Sequence, residues 1–188
     1  KNTEFKFLYD TENVYFYIKS YDDPSQIISQ SGKRDSGFNG DWVYIGIDPM
    51  DDKTTGYAFL INPSNVQNDA RLMNQGQEDW SWDGLWESNT QITSDGWTAE
   101  IAIPLRALKF QGKESQNWGF NVARYMRKNS EKVFWEPINP EFGYKIGRFA
   151  KINDLRNLTT KNEVQLIPSA VSDFNNKENY NPIKGNSS

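Results

Sequence analysis

Gly96-Trp97-Thr98-Ala99-Glu100-Ile101-Ala102-Ile103-Pro104 carries the clearest alternation in the chain. Trp97, Ala99, Ile101 and Ile103 fall on one side of an extended backbone, and a period of two is that of a strand with one face in a core. Ser94-Asp95-Gly96 before it reads as a tight turn, and Pro104 ends it because proline has no N–H for the ladder. Leu105 to Leu108 follows as a single helical turn.

The same period extends outward in both directions. Phe5, Phe7 and Tyr9 alternate with Lys6 and Leu8, a turn follows at Asp10 to Asn13, and Val14, Phe16 and Ile18 then alternate with Tyr15, Tyr17 and Lys19. That pattern predicts a β-hairpin. Asp41 to Asp48 is a strand with Val43, Ile45 and Ile47 on one face and Trp42 and Tyr44 on the other. Tyr57 to Ile61 is apolar on both faces, as expected of a central, buried strand. Leu85 to Ile92, Trp118 to Ala123, Val133 to Glu136 and Ile146 to Ile152 complete the expected strands. Tyr21 to Gly40, Asn62 to Gly84 and Pro137 to Tyr144 read as polar or Pro-rich loops. Short strands with turn signals between them and no long amphipathic helix predict an all-β, two-sheet antiparallel sandwich, jelly-roll-like in kind. The predicted core is Phe59, Ile61, Trp97, Ile101, Ile103, Phe120 and Val122.

The 188 residues fit one domain, assigned to 1–153, followed by a strand or linker extension over 154–188. Val164 to Val171 reads as one more strand, and the Asn-, Lys- and Ser-rich stretch from Asp173 as a linker. The chain starts directly on strand-like sequence with no signal peptide and no apolar run of about 18 residues, so it reads as a mature segment or fragment without a membrane-spanning helix.

Charge and composition exclude several functions. A net charge of −4 without basic runs argues against a nucleic-acid partner and against docking on an anionic membrane. The absence of His and Cys removes His-based triads, thiol nucleophiles, structural zinc and His-ligated haem. Seven Trp, nine Tyr and eleven Phe are many for this length, and flat aromatic faces serve as ligand surfaces as well as core.

Several segments, in order, carry a family likeness: Phe7-Leu8-Tyr9-Asp10, Asn13-Val14-Tyr15, Arg34-Asp35, Asp41-Trp42-Val43, Ile47-Asp48, Tyr57-Ala58-Phe59, Asn62-Pro63, Trp82-Asp83-Gly84-Leu85-Trp86, the 96–104 block, Trp118-Gly119-Phe120-Asn121 with Arg124, and Gly147. Together these resemble a family 9 carbohydrate-binding module over about Lys1 to Ile152, of the kind that precedes an outer-membrane β-barrel of unknown function in Gram-negative bacteria. The resemblance implies a two-sheet sandwich that begins inside the domain, a glycan partner, a barrel region in the same polypeptide, and an extracytoplasmic location in the periplasm, outer membrane or cell surface. It implies a binding module rather than an enzyme, and it admits structural calcium.

Sugar rings present C–H faces that pack on an indole plane. Trp80 and Trp82 lie in a polar loop where no core period explains them, so they are the first candidate ligand residues, with Asp79 and Asp83 beside them as partners for sugar hydroxyls. Trp135 and Tyr144 flank the late loop from which the family likeness draws a second aromatic. Asp48, Asp51 and Asp52 form an acidic turn able to offer oxygen ligands to calcium, although the spacing is not that of an EF-hand. Two competing readings stand beside glycan binding. One is a protein-interaction or plug domain serving a barrel or secretion assembly. The other is a glycoside-active domain, which needs two carboxylates across a cleft.

Overall fold

The computed structural model describes residues 2–137 and 145–158. Eleven strands and four single turns of 3₁₀ helix make up these residues. They are β1 (Thr3–Tyr9), β2 (Asn13–Tyr21), β3 (Trp42–Asp48), β4 (Gly56–Ile61), β5 (Gln67–Met73), β6 (Gln77–Asp79), β7 (Glu87–Thr93), β8 (Gly96–Pro104), β9 (Ser115–Met126), β10 (Glu131–Phe134) and β11 (Ala150–Arg156). A four-stranded sheet runs β1-β2-β8-β7 and a seven-stranded sheet runs β10-β9-β3-β4-β5-β6, with β11 also paired to β9. Every pairing is antiparallel. The fold is the all-β sandwich the alternation predicts.

The inner faces of the two sheets form one core. Val14, Phe16 and Ile18 of β2 meet Trp97, Ala99, Ile101 and Ile103 of β8 within the small sheet. Val43, Ile45, Ile47, Phe59, Ile61, Phe120 and Val122 come from the large one. All seven predicted core residues are buried. Each fully buried Ile or Val contributes about 1.5–3 kcal/mol of transfer free energy, so the seam between the sheets dominates stability. Gly96 opens β8 with φ at +144°, and a Cβ there would stand 2.0 Å from the Ser20 carbonyl oxygen. Only glycine fits that crossing.

Asn62 to Gly84 is not a loop throughout, contrary to expectation. β5 lies inside it and pairs with β4 from Gly56↔Leu72 to Ile61↔Gln67. The apolar period is missing because β5 buries a polar residue on each face: Asp69 points inward, and Asn68 is buried on the outer face with Ala70 and Leu72. Asp69 is satisfied by tertiary partners, accepting from the Gly84 amide at 2.6 Å, the Trp86 indole at 3.1 Å and the Arg34 guanidinium. Ile146 also departs from its expected strand. It opens a 3₁₀ turn, Ile146–Arg148, and the strand begins at Ala150. β11 runs to Arg156, and Leu155 and Leu158 are buried. The segment expected as a strand at 164–171 lies outside the described residues. Among the described residues no helix is long and apolar enough to cross a membrane.

Candidate functional site

The outer face of the large sheet is apolar where it is expected to meet water. Tyr44, Leu60 and Ala123, from β3, β4 and β9, form a second buried cluster with Ala58, Ala70 and Leu72, and Phe38, Trp42 and Phe134 pack against it. Above this floor lies an open groove of about 520 Å³. Its apolar lining includes Phe38, Trp42, Tyr44, Trp80 and Phe134, and Asp35, Asn68, Glu78 and Lys132 bring polar groups to the same space. Three strands set the floor, and the loops after β2 and β6 supply the walls.

Local chemistry fixes those walls. Arg34 spans both loops: its guanidinium donates to Asp69 and to the Gly84 carbonyl, and it pairs with Asp83 at 2.9 Å. It also lies over the Trp86 ring, 5.9 Å from its centroid. Burial raises the Asp69 carboxyl, opposed by the Gly84 amide, the Trp86 indole and the Arg34 charge. Asp35 accepts from Arg34 at 3.3 Å and from the Asp69 amide at 3.3 Å, which ties the groove's edge to β5.

Trp80 and Trp82 part company. Trp80 is 47% exposed and lines the groove. Trp82 is half-buried on the core side, its ring 5.0 Å from Tyr57 and 6.0 Å from Phe59. A Cβ on residue 84 would stand 2.4 Å from that ring, so Gly84 is what lets the indole lie flat on the turn. The two expected ligand indoles are thus parted by the turn at Trp80–Ser81, which leaves Trp82 against Tyr57 and Phe59 rather than in the groove.

Trp135 is 60% exposed but lies away from the groove. It stands edge-on to Phe5, 5.0 Å away, in a small cavity between the β1 and β10 edges. Its neighbour Phe134 points the other way, into the groove. Asp79 accepts from the Ser81 hydroxyl at 2.6 Å and from its amide, bonds that lower its carboxyl, and Asp83 is paired with Arg34. Both acids brace the loop. Trp80, Trp82 and Trp135 therefore do not converge on one site, and Tyr144 lies outside the described residues.

The acidic turn is internally occupied. Asp48 is buried and accepts from the Asp52 and Lys53 amides, and burial raises its carboxyl. Asp52 accepts from Thr54 and Thr55, and Asp51 pairs with Lys151. Among the described residues the acidic side chains that approach closely enough to share a cation are Asp35, Asp69 and Asp83, and Arg34 already pairs with each of them.

Sequence reasoning missed Trp42, Phe38, Phe134, Glu78 and Lys132. The available signal was in β3: Trp42 and Tyr44 are large aromatics on the face opposite Val43, Ile45 and Ile47, where a simple solvated sheet carries polar side chains.

A family described as carbohydrate family 9 binding domain-like matches residues 1–164. The fold is similar to that of a Bacteroides uniformis protein assigned as carbohydrate-binding, with a TM-score of 0.67 and 12% identity over 80% of this chain and 77% of that one. It is also similar to a family 9 carbohydrate-binding module of Caldicellulosiruptor kristjanssonii. That module in complex with glucose gives a TM-score of 0.58 and 16% identity over 87% of this chain and 80% of that one. Its complex with cellotriose gives the same score and identity over 90% and 80%. At these identities the likeness is one of fold. No curated protein matches the chain. The family match runs over most of the sequence, and the chain belongs to the carbohydrate family 9 binding domain-like family.

Proposed function

We propose that this domain is a non-catalytic glycan-binding module whose ligand lies in the groove on the outer face of the large sheet. The groove itself carries the reading: aromatic faces from Trp42, Trp80 and Phe134 share one open space with Asn68, Glu78 and Asp35. Stacked rings remove apolar sugar surface from water at little rotamer cost, and the polar groups select hydroxyl geometry. The similar module from Caldicellulosiruptor kristjanssonii holds glucose and cellotriose, which supports a neutral glucan as the first ligand to test. Trp80, rather than Trp82 or Trp135, is the sequence-predicted residue that serves this site.

Binding fits the groove better than hydrolysis. A glycosidase works with two carboxyl groups facing one bond. Asp35 and Glu78 line the groove, but Asp35 is tied to Arg34 and the Asp69 amide. Glu100 is exposed on the small sheet, away from the groove. An extracytoplasmic setting and a barrel region of the same polypeptide belong to this reading through the likeness of the ordered motifs. The interaction-domain reading draws on a different place, the exposed Val133 and Trp135 beside Phe5.

Calorimetric titration with glucose, cellotriose and a panel of soluble oligosaccharides tests the proposal, with product analysis on the same samples. Saturable binding that is weakened in Trp80→Ala, with no sugar cleaved, is the expected result. No binding at millimolar sugar would leave the interaction reading in its place.

A further inference from the structure

The groove already holds a cation of its own. Lys132 projects from β10, and its ammonium lies 4.9 Å from the Trp42 ring centroid and 5.9 Å from that of Phe134. Glu78 shares the groove. Glu78 is exposed at the groove, whose walls desolvate its carboxyl enough to raise it, and the Lys132 charge and then the Trp80 indole draw it back down. Two aromatic rings within 6 Å of an ammonium, with a carboxylate lining the same groove, form an arrangement suited to cationic nitrogen. Here the occupant is a flexible side chain. Lys132 is an exposed residue of the edge strand of the sheet, so its four-carbon stem can carry the charge out to water.

Resting on the groove as the glycan site, we infer that Trp42, Phe134 and Glu78 form an ammonium subsite, and that the preferred ligand is a glycan carrying protonated amino groups, such as a glucosamine oligomer. A primary amine on a pyranose ring presents the same compact, triply donating charge as Lys132, on a ring whose C–H face suits the adjoining Trp80. A neutral sugar cannot replace the charge between the rings. An acidic sugar would bring its carboxylate against Glu78. Lys132 is thus an internal competitor, and the ligand that displaces it most easily is the one that resembles it.

The test compares a glucosamine tetramer, the matching N-acetylglucosamine tetramer and cellotetraose, titrated calorimetrically into the domain at a pH just below the pKa of the sugar amine. Acetylation keeps the skeleton and removes the charge. The parent is expected to bind the glucosamine tetramer most tightly. Lys132→Met should strengthen that binding about tenfold while changing the two neutral oligomers by less than about twofold, and Glu78→Gln should abolish the preference. Three results would each overturn the inference: equal affinity for all three oligomers in the parent, a gain shared equally by all three in Lys132→Met, or weaker glucosamine binding in that variant. Thermal melts of both variants, expected within a few degrees of the parent, separate binding effects from unfolding. Cellotetraose binding that depends on Trp80, with no preference for the amine, would sink the inference and leave the groove reading standing. Failure of all three oligomers to bind would remove both.

Discussion

Arg124 donates to Asp22 at 2.9 Å, and both side chains are buried at one end of the sandwich. Arg124 also donates to the Tyr21 carbonyl at 2.9 Å, and Lys128 reaches the other Asp22 oxygen. This links β9 of the large sheet to the end of β2 in the small one. Removing one partner of a buried ion pair leaves the other charge unsolvated, so Arg124→Ala is expected to cost about 3–5 kcal/mol. Chemical denaturation checks this; a loss under about 1 kcal/mol would show that water reaches the pair freely.

Trp97 is fully buried in the β8 stripe that decides the fold. Trp97→Ala is expected to destabilise the domain by about 3–5 kcal/mol through lost contact and a residual cavity. The urea midpoint should fall, with glycan affinity unchanged in the fraction that stays folded.

Trp80 and Trp82 should give opposite phenotypes. Trp80→Ala removes an exposed groove wall, so stability should change by less than about 0.5 kcal/mol while glycan affinity falls about tenfold or more. Trp82→Ala strips a half-buried ring from Tyr57 and Phe59 and should cost about 2–3 kcal/mol, less than a fully buried indole. Paired melts and titrations of the two variants decide it; equal loss of affinity in both would return Trp82 to the binding surface.

Asp41 is buried, with one oxygen accepting from the Arg127 amide at 2.9 Å and the other without a partner. Burial raises its folded pKa, against the pull of that amide and of Arg124. A carboxyl raised on folding contributes stability below its unfolded pKa and loses it as pH rises through the folded value. Asp41→Asn removes that loss. Relative to the parent, the variant should therefore gain stability as pH rises through the folded pKa of Asp41 and keep that gain at neutrality. Denaturation curves of both proteins across the acid range test the sign. A stability difference independent of pH would mean that Asp41 titrates at its ordinary value.

Chelation of calcium is expected to leave Tm unchanged. Asp48 and Asp52 are committed to backbone and hydroxyl donors, Asp51 to Lys151, and the close trio of Asp35, Asp69 and Asp83 to Arg34. A melt in the presence of a chelator, compared with one in added calcium, measures this directly. A rise of several degrees with calcium would show an ion displacing one of these donors.

What the sequence by itself determined was the sandwich and its core. Strand alternation depends on nearest neighbours along the chain, so the stripes of β2, β3, β4, β8 and β9 could be assigned without knowing their partners. The outward Trp42 and Tyr44 were legible in the same way, as aromatics on a face that alternation alone assigns to water. Only the tertiary structure decided that β5 is a strand. Its inward Asp69 is tolerable because Arg34, Gly84 and Trp86 reach it from distant positions, and no local period encodes such partners. The same holds for the site. Trp80 and Trp82 look alike in a polar loop, and what separates them is a bare Gly84 under one ring and an open groove beside the other. Lys132, Trp42 and Glu78 come from three separate strands, β10 and β6 being the two ends of the sheet path, and only the three-dimensional course of that sheet brings them to one space.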